Sequence, residues 1–261
     1  MRFASLGSGS EGNALLVEGA EGAGCVLIDC GFGLREAERR LRALGREAAQ
    51  IDAILVTHEH GDHVGGVFRL AHRHRIPVHL THGTLRAIAS IIPTDFDRRS
   101  LLRTFDSAAV FDCAGLRIEP VAVPHDAREP VQYVLDDGRV RLGVLTDLGH
   151  GSAHVVRALS RLDALVLECN HDPGLLAANR RYTAALKRRI AGQWGHLGNG
   201  EAARILASID RSRLRTVVAA HLSRQNNRPE LARAALAPVF DGDPSGLHVA
   251  DQDHGIGWIA V

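Results

Sequence analysis

Aromatic side chains are scarce in this chain: 4% of 261 residues, with two tryptophans and two tyrosines, which gives little support for a platform on which bases would stack. Net charge is nearly absent as well. At +1 with the histidines neutral, no molecule-wide field announces a polyanionic partner, so any such argument falls to local patches. The four cysteines, Cys25, Cys30, Cys113 and Cys169, form no CxxC pair and sit mostly among apolar neighbours, as free thiols in a reducing compartment would. No eighteen-residue apolar window is free of charge, and the opening Met1-Arg2-Phe3-Ala4-Ser5 has no apolar export-type run. The expectation is a cytoplasmic protein with no membrane span. With no fixed-period repeat and no long linker, one domain over residues 1–261 is expected.

The 45% hydrophobic content is enough for a sizeable core, and it comes in short strand-like pieces. Phe3 to Leu6, Ala14 to Glu18 and Cys25 to Asp29 open the chain, a helical spacing runs from Leu34 to Leu44, and a strand covers Ile51 to Val56. Val64, Val67, Phe68 and Ala71 mark a helix, and Val78 to Leu80 a further strand. A β-rich middle follows, with Val110-Phe111, Leu116 to Val123, Val131 to Leu135 and Val140 to Leu145, the last two joined by the turn Asp136-Asp137-Gly138. Strands at Ala164 to Leu167 and Thr216 to Ala219 alternate with helices near Gly174 to Ile190, Glu201 to Ile209 and from Pro229, and Leu247 to Ala250 and Gly257 to Ala260 close with sheet. Two sheets packed face to face with helices outside fit this order.

Thr57-His58-Glu59-His60-Gly61-Asp62-His63 places three imidazoles and a carboxylate directly after an apolar strand, a donor set suited to zinc, manganese or iron rather than to calcium. The carboxyl edge of a sheet is where open α/β folds put their sites. Four more polar residues follow apolar strands in the same way: Asp29, His125, Asp147 and His221. His58, His60 and His125 would serve one cation and Asp62, His63 and His221 a second, with Asp147 bridging through its two oxygens. Two cations about 3.5–4 Å apart suit hydrolysis of a phosphate ester. The catalytic candidates are therefore Asp62, Asp147 and His196.

Asp29 is expected behind His58 or His60, accepting an imidazole N–H and fixing its tautomer. His171 is a second supporting candidate. Around the centre, His196 would protonate a leaving oxygen or serve only as a loop residue. Asn199, Asn226 and Asn227 would touch phosphate or else cap helices. The loop Ser8-Gly9-Ser10-Glu11-Gly12-Asn13 would close over the centre, but without a lysine it is no nucleotide-binding Walker loop. Three basic clusters, Arg98/Arg99/Arg103, Lys187/Arg188/Arg189 and Arg211/Arg213/Arg215, are solvated helix ends and loops or, for the first two, a path for backbone phosphates.

The Thr57–His63 block, with His125, Asp147 and His221 in order, resembles the metallo-β-lactamase superfamily. Ser5 to Asn13, Thr146-Asp147-Leu148-Gly149, Glu168 to Asp172, Gly195 to Asn199 and His221 to Asn227 look like its WalJ/YycJ branch, with departures at Cys169 and Gly198, where serine is expected. The resemblance implies an αββα sandwich of two mixed β-sheets flanked by helices. It implies two divalent metals, zinc or manganese, held by His58, His60, Asp62, His63, His125, Asp147 and His221. It also implies DNA exonuclease activity. The alternatives are an RNA-processing nuclease, a small-molecule phosphodiesterase, and a non-catalytic, metal-stabilised nucleic-acid-binding module.

Overall fold

The structure is a computed structural model describing residues 1–20 and 24–261. Fourteen strands form two seven-stranded sheets. The first contains β1 (Arg2–Gly7), β2 (Ala14–Glu18), β3 (Cys25–Ile28), β4 (Ala53–Leu55), β5 (Val78–Thr81), β6 (Leu102–Phe105) and, from the far end of the chain, β14 (Ile256–Ala260). The second contains β7 (Phe111–Cys113), β8 (Leu116–Ala122), β9 (Val131–Asp136), β10 (Arg141–Leu145), β11 (Ala164–Glu168), β12 (Thr216–Ala220) and β13 (Leu247–Val249). Sheet order is β14-β1-β2-β3-β4-β5-β6 and β13-β12-β11-β10-β9-β8-β7. Each sheet is mixed: β3 to β6 run parallel and β10 to β13 run parallel, while the hairpin-connected strands beside them are antiparallel.

Three apolar layers hold this together, and the period-2 alternation of the strands makes them. On β2 and β3, Leu15, Val17, Val26 and Ile28 face inward with Leu55, Ile118, Tyr133, Val144 and Val218 to form the core between the sheets. Their neighbours Leu16 and Leu27 turn outward, with Ile54, to pack under the helices Leu34–Ala43 and Val67–His74. On the far side, Leu165, Leu167, Val217 and Ala219 pack under the helices Asn199–Ser208 and Pro229–Leu236. The αββα layering expected from the sequence is the observed one. Buried Tyr133 ties the sheets together where it matters, donating its hydroxyl to the Val56 carbonyl at 2.6 Å, one residue before Thr57.

Two local differences from the sequence reading have physical causes. The helical stretch around Gly174 to Ile190 is two helices, Pro173–Ala178 and Ala184–Ile190, because Asn179 turns the backbone by accepting from Arg181 N, and Thr183 caps a new start. Strand β6, short and half-exposed with Arg103 in its middle, carries too weak an apolar alternation to be read from the sequence. Three residues just beyond β3, β10 and β12 have left-handed backbones: Asp29, Asp147 and His221, with φ of 59°, 53° and 56°. No helix among the described residues is long and apolar enough to cross a membrane.

Candidate metal centre

Because β3, β4, β10, β11 and β12 all end at the same edge of the sandwich, the residues that follow them converge there. His58, His60 and His125 bring donor atoms within 4.8 Å of one another, and so do Asp62, His63 and His221. His60 Nδ1 lies 3.2 Å from His125 Nε2, and Asp62 Oδ2 lies 3.5 Å from both His63 Nε2 and His221 Nε2. Between the triads stands Asp147, with Oδ2 2.9 Å from His63 Nε2 and Oδ1 4.0 Å from His125 Nε2. The seven residues expected as ligands are thus one cluster. Its open side is marked by His60, Asp62 and His196, whose side chains stay 29%, 24% and 24% exposed while the other members are buried.

Each deeply buried imidazole is anchored through Nδ1, which leaves Nε2 for the cluster. His58 Nδ1 meets Thr57 Oγ1 at 3.0 Å, His63 Nδ1 meets Asp29 Oδ2 at 2.7 Å, His125 Nδ1 meets the Gly195 carbonyl at 3.0 Å and His221 Nδ1 meets Glu168 Oε1 at 3.0 Å. Asp29 is itself fixed by Thr57 N and Thr57 Oγ1. On the opposite, inward-facing side, His58 Nε2 is buried without a hydrogen-bond partner, and His221 Nε2 and Asp147 Oδ2 find only other members of the cluster, Asp62 Oδ2 at 3.5 Å and His63 Nε2 at 2.9 Å. Orphaned donors and acceptors of this kind carry a desolvation cost unless something else satisfies them. Oriented nitrogens and a carboxylate aimed at one space fit a divalent cation.

Charge tells the same story. Burial presses every ion in this pocket toward neutrality, and for His58, with His63 beside it, the imidazolium is held well below its usual range. Against the same burial, Asp147 and Asp29 hold His63 well above its usual range, and Asp147, Asp62 and Glu168 push His221 up to about 10. A divalent cation held by these groups would displace such protons.

A sequence profile for the β-lactamase superfamily domain matches residues 25–221, a span that contains every one of these donors. The chain belongs to that superfamily. It is 32% identical to the exodeoxyribonuclease YycJ of Bacillus anthracis over 97% of this chain and 94% of that protein. It is 29% identical to the exodeoxyribonuclease WalJ of Streptococcus pneumoniae serotype 2 strain D39 over 90% and 86%. The metallo-β-lactamase fold protein YhfI of Bacillus subtilis superposes with a TM-score of 0.74 over 99% of both chains at 15% identity, a likeness of fold.

Beside this superfamily's metal cluster the sequence reading passed over Glu168. Completely buried at the end of β11, it accepts from Leu148 N at 3.2 Å and Leu197 N at 3.0 Å and holds both His196 Nδ1, at 2.8 Å, and His221 Nδ1. Burial raises a carboxyl, but His196 and His221 overcome it and bring Glu168 down to about 2. His196 in turn is raised by Glu168 and Asp147 in spite of burial. The available signal was a lone glutamate closing an otherwise apolar strand. Asn13 is the other residue of the centre whose contact was not foreseen, its Nδ2 lying 3.3 Å from Asp62 Oδ2 and 3.1 Å from His63 Nε2.

Several expectations give way to different contacts. Asp29 supports His63, not His58 or His60, because its left-handed backbone turns it across the end of β4. The amides of Asn199 and Asn227 bond each other at 2.8 and 2.9 Å, Asn227 also donates to the Cys169 carbonyl, and Asn226 is shared with Asn179 and Ser223. All three are buried and bonded internally, stapling the loops after β11 and β12. His171 makes no hydrogen bond to the cluster among the described residues; it lines a cavity beside His196 and Gly198. Glu59, which alternates with the donors, points away as that alternation implies, accepting from Arg128 N at 2.7 Å. The arginines Arg98, Arg99, Arg211, Arg213 and Arg215 precede β6 and β12, at the edge opposite the centre. Only the Lys187–Arg189 cluster is near it, with Arg189 paired to Asp126 at 2.6 Å.

Proposed function

We propose that the chain is a phosphodiester hydrolase that works with two divalent cations, zinc, manganese or iron, and removes nucleotides from the ends of DNA. The observation that carries this is Asp147, a buried carboxylate that reaches both three-residue donor groups, with Oδ2 2.9 Å from His63 and Oδ1 3.5 Å from His221 and 4.0 Å from His125. His58, His60 and His125 would hold one cation and Asp62, His63 and His221 the other. When bound, such a pair supplies Lewis acidity toward a phosphoryl oxygen and makes water acidic enough to attack at neutral pH. The chain does the rest. Asn13, Asp29, Thr57 and Glu168 orient the donors, and His196, held through Nδ1 by Glu168, which favours its protonated form, stands at the open side to give a proton to the leaving oxygen.

DNA as the substrate is supported by the two exodeoxyribonucleases to which the chain is similar over nearly its whole length. The reading takes residues 1–261 as one catalytic unit. Four cysteines, buried and unpaired among the described residues, fit work in a reducing compartment such as the cytoplasm. Labelled single- and double-stranded DNA, RNA and a small aryl phosphodiester, offered side by side with added manganese or zinc, test the assignment. DNA should shorten from its ends. Turnover of the aryl ester or of RNA alone would overturn the DNA reading, and no turnover with both metals bound would favour a binding module.

A further inference from the structure

The two tryptophans are placed very differently. Trp258 is packed, with Arg2 4.3 Å over its ring and its Nε1 donating to the Leu44 carbonyl at 2.9 Å. Trp194 is 61% exposed and has no hydrogen-bond, aromatic or cationic partner for its indole among the described residues. It is also the only exposed large aromatic side chain among them.

The loop that carries Trp194 is built into the metal centre. The Trp194 carbonyl accepts from Asp126 N at 2.9 Å, and the next carbonyl, Gly195, is the one that orients His125. The Gln193 carbonyl accepts from His150 Nδ1 at 3.1 Å, and His196 N donates to Ile190 at 2.8 Å. Gly149, two residues beyond Asp147, lets the loop come close; a side chain there would lie 2.1 Å from the Gln193 backbone. The indole therefore stands two residues from His196, exposed, on a segment whose backbone is bonded at both ends.

We infer that Trp194 is a stacking face for a nucleobase next to the phosphate being cleaved. An apolar ring left bare costs solvation that a stacked base removes, and stacking on an aromatic side chain changes affinity by roughly fivefold to a hundredfold per base without reading its identity. Exposed Arg188, on the helix just before the loop, is placed for the adjoining backbone phosphate, while Arg189 is held by Asp126. A base can stack there only when released from its own neighbours, so the preferred substrate is single-stranded or a frayed end. This rests on the nucleic-acid reading above and makes the low aromatic content less informative than it first appears.

The test uses the metal-loaded full chain with Trp258→Phe as background, so that fluorescence reports Trp194 alone. A single-stranded oligonucleotide should quench it, and the same strand with abasic sites should not. Trp194→Ala should raise KM for the oligonucleotide about tenfold, leave turnover of a small aryl phosphodiester and metal content unchanged, and be largely rescued by Trp194→Phe. Equal quenching by the abasic strand, or an unchanged KM, overturns the inference. So does a Trp194→Ala variant that converts a dimer to a monomer in sedimentation, which would make the indole a contact between copies. If the wild type cuts no DNA, the proposed activity fails, while the quenching comparison still decides whether Trp194 receives bases.

Discussion

Two buried aspartates, Asp147 and Asp163, sit at opposite ends of neighbouring strands in the second sheet. Asp163, just before β11, is saturated: Arg213 reaches both its oxygens at 3.0 Å and Arg141 N donates at 2.8 Å. Asp147, just after β10, is buried more completely, yet no amide or guanidinium closes it: its oxygens face imidazoles, with Oδ2 2.9 Å from His63 Nε2. The first carboxylate is closed by amides and a guanidinium, as suits a part of the fold, whereas the second is held among imidazoles alone, as suits a metal ligand.

The strongest way to break the comparison is to remove each aspartate in turn. Asp147→Ala should lose at least one equivalent of metal and lower turnover by roughly a thousandfold or more. Asp163→Ala should keep its metal and activity and lose about 1–3 kcal/mol of stability in a denaturant titration, from amides left without an acceptor. Metal loss in Asp163→Ala would erase the distinction. Next in size, His196→Ala should retain both metals, as measured by elemental analysis, and fall in turnover by about 10²-fold or more if its proton matters; metal loss would make it a ligand. Asp29→Asn, which keeps the shape but weakens the hold on His63, should cost roughly 10–100-fold in metal affinity, read by competition with a chelating dye.

The smallest effect is one of pH on the metal-free protein. His221 is raised from 6.5 to about 10, and His63 in the same direction, so the stability they contribute is whole below about 6.5 and lost as pH rises through 10. Glu168, lowered from 4.5 to about 2, contributes above 4.5 and loses that as pH falls through 2. Melting temperature without metal should therefore decline on the alkaline side, and bound cations, by replacing the protons, should flatten that decline. Identical alkaline slopes with and without metal would show that these imidazoles carry no linked proton.

The layered fold and the convergence of seven donors were legible because both follow from one pattern, an apolar strand ended by a polar residue. What followed from partners distant in sequence was not. Nothing in the local sequence of Asp29 says which histidine it will meet, and Asn199 and Asn227 resemble ligand-binding amides until their mutual bonds are seen. Glu168 was visible as an oddity at the end of an apolar run but lay outside the histidine spacing that drew attention. The arginine clusters needed strand direction, which only pairing supplies, before their edge was known.

The left-handed backbones at Asp29, Asp147 and His221 have a consequence for how this centre is able to change. Aspartate, asparagine, histidine and glycine accept that conformation most readily, and β-branched residues poorly. A population of variants is thus confined at these three places to a few short side chains, and glycine among them relaxes the backbone while deleting the donor. Selection for heat resistance alone would therefore favour glycine at the three places, at the expense of the donors that a cation would need.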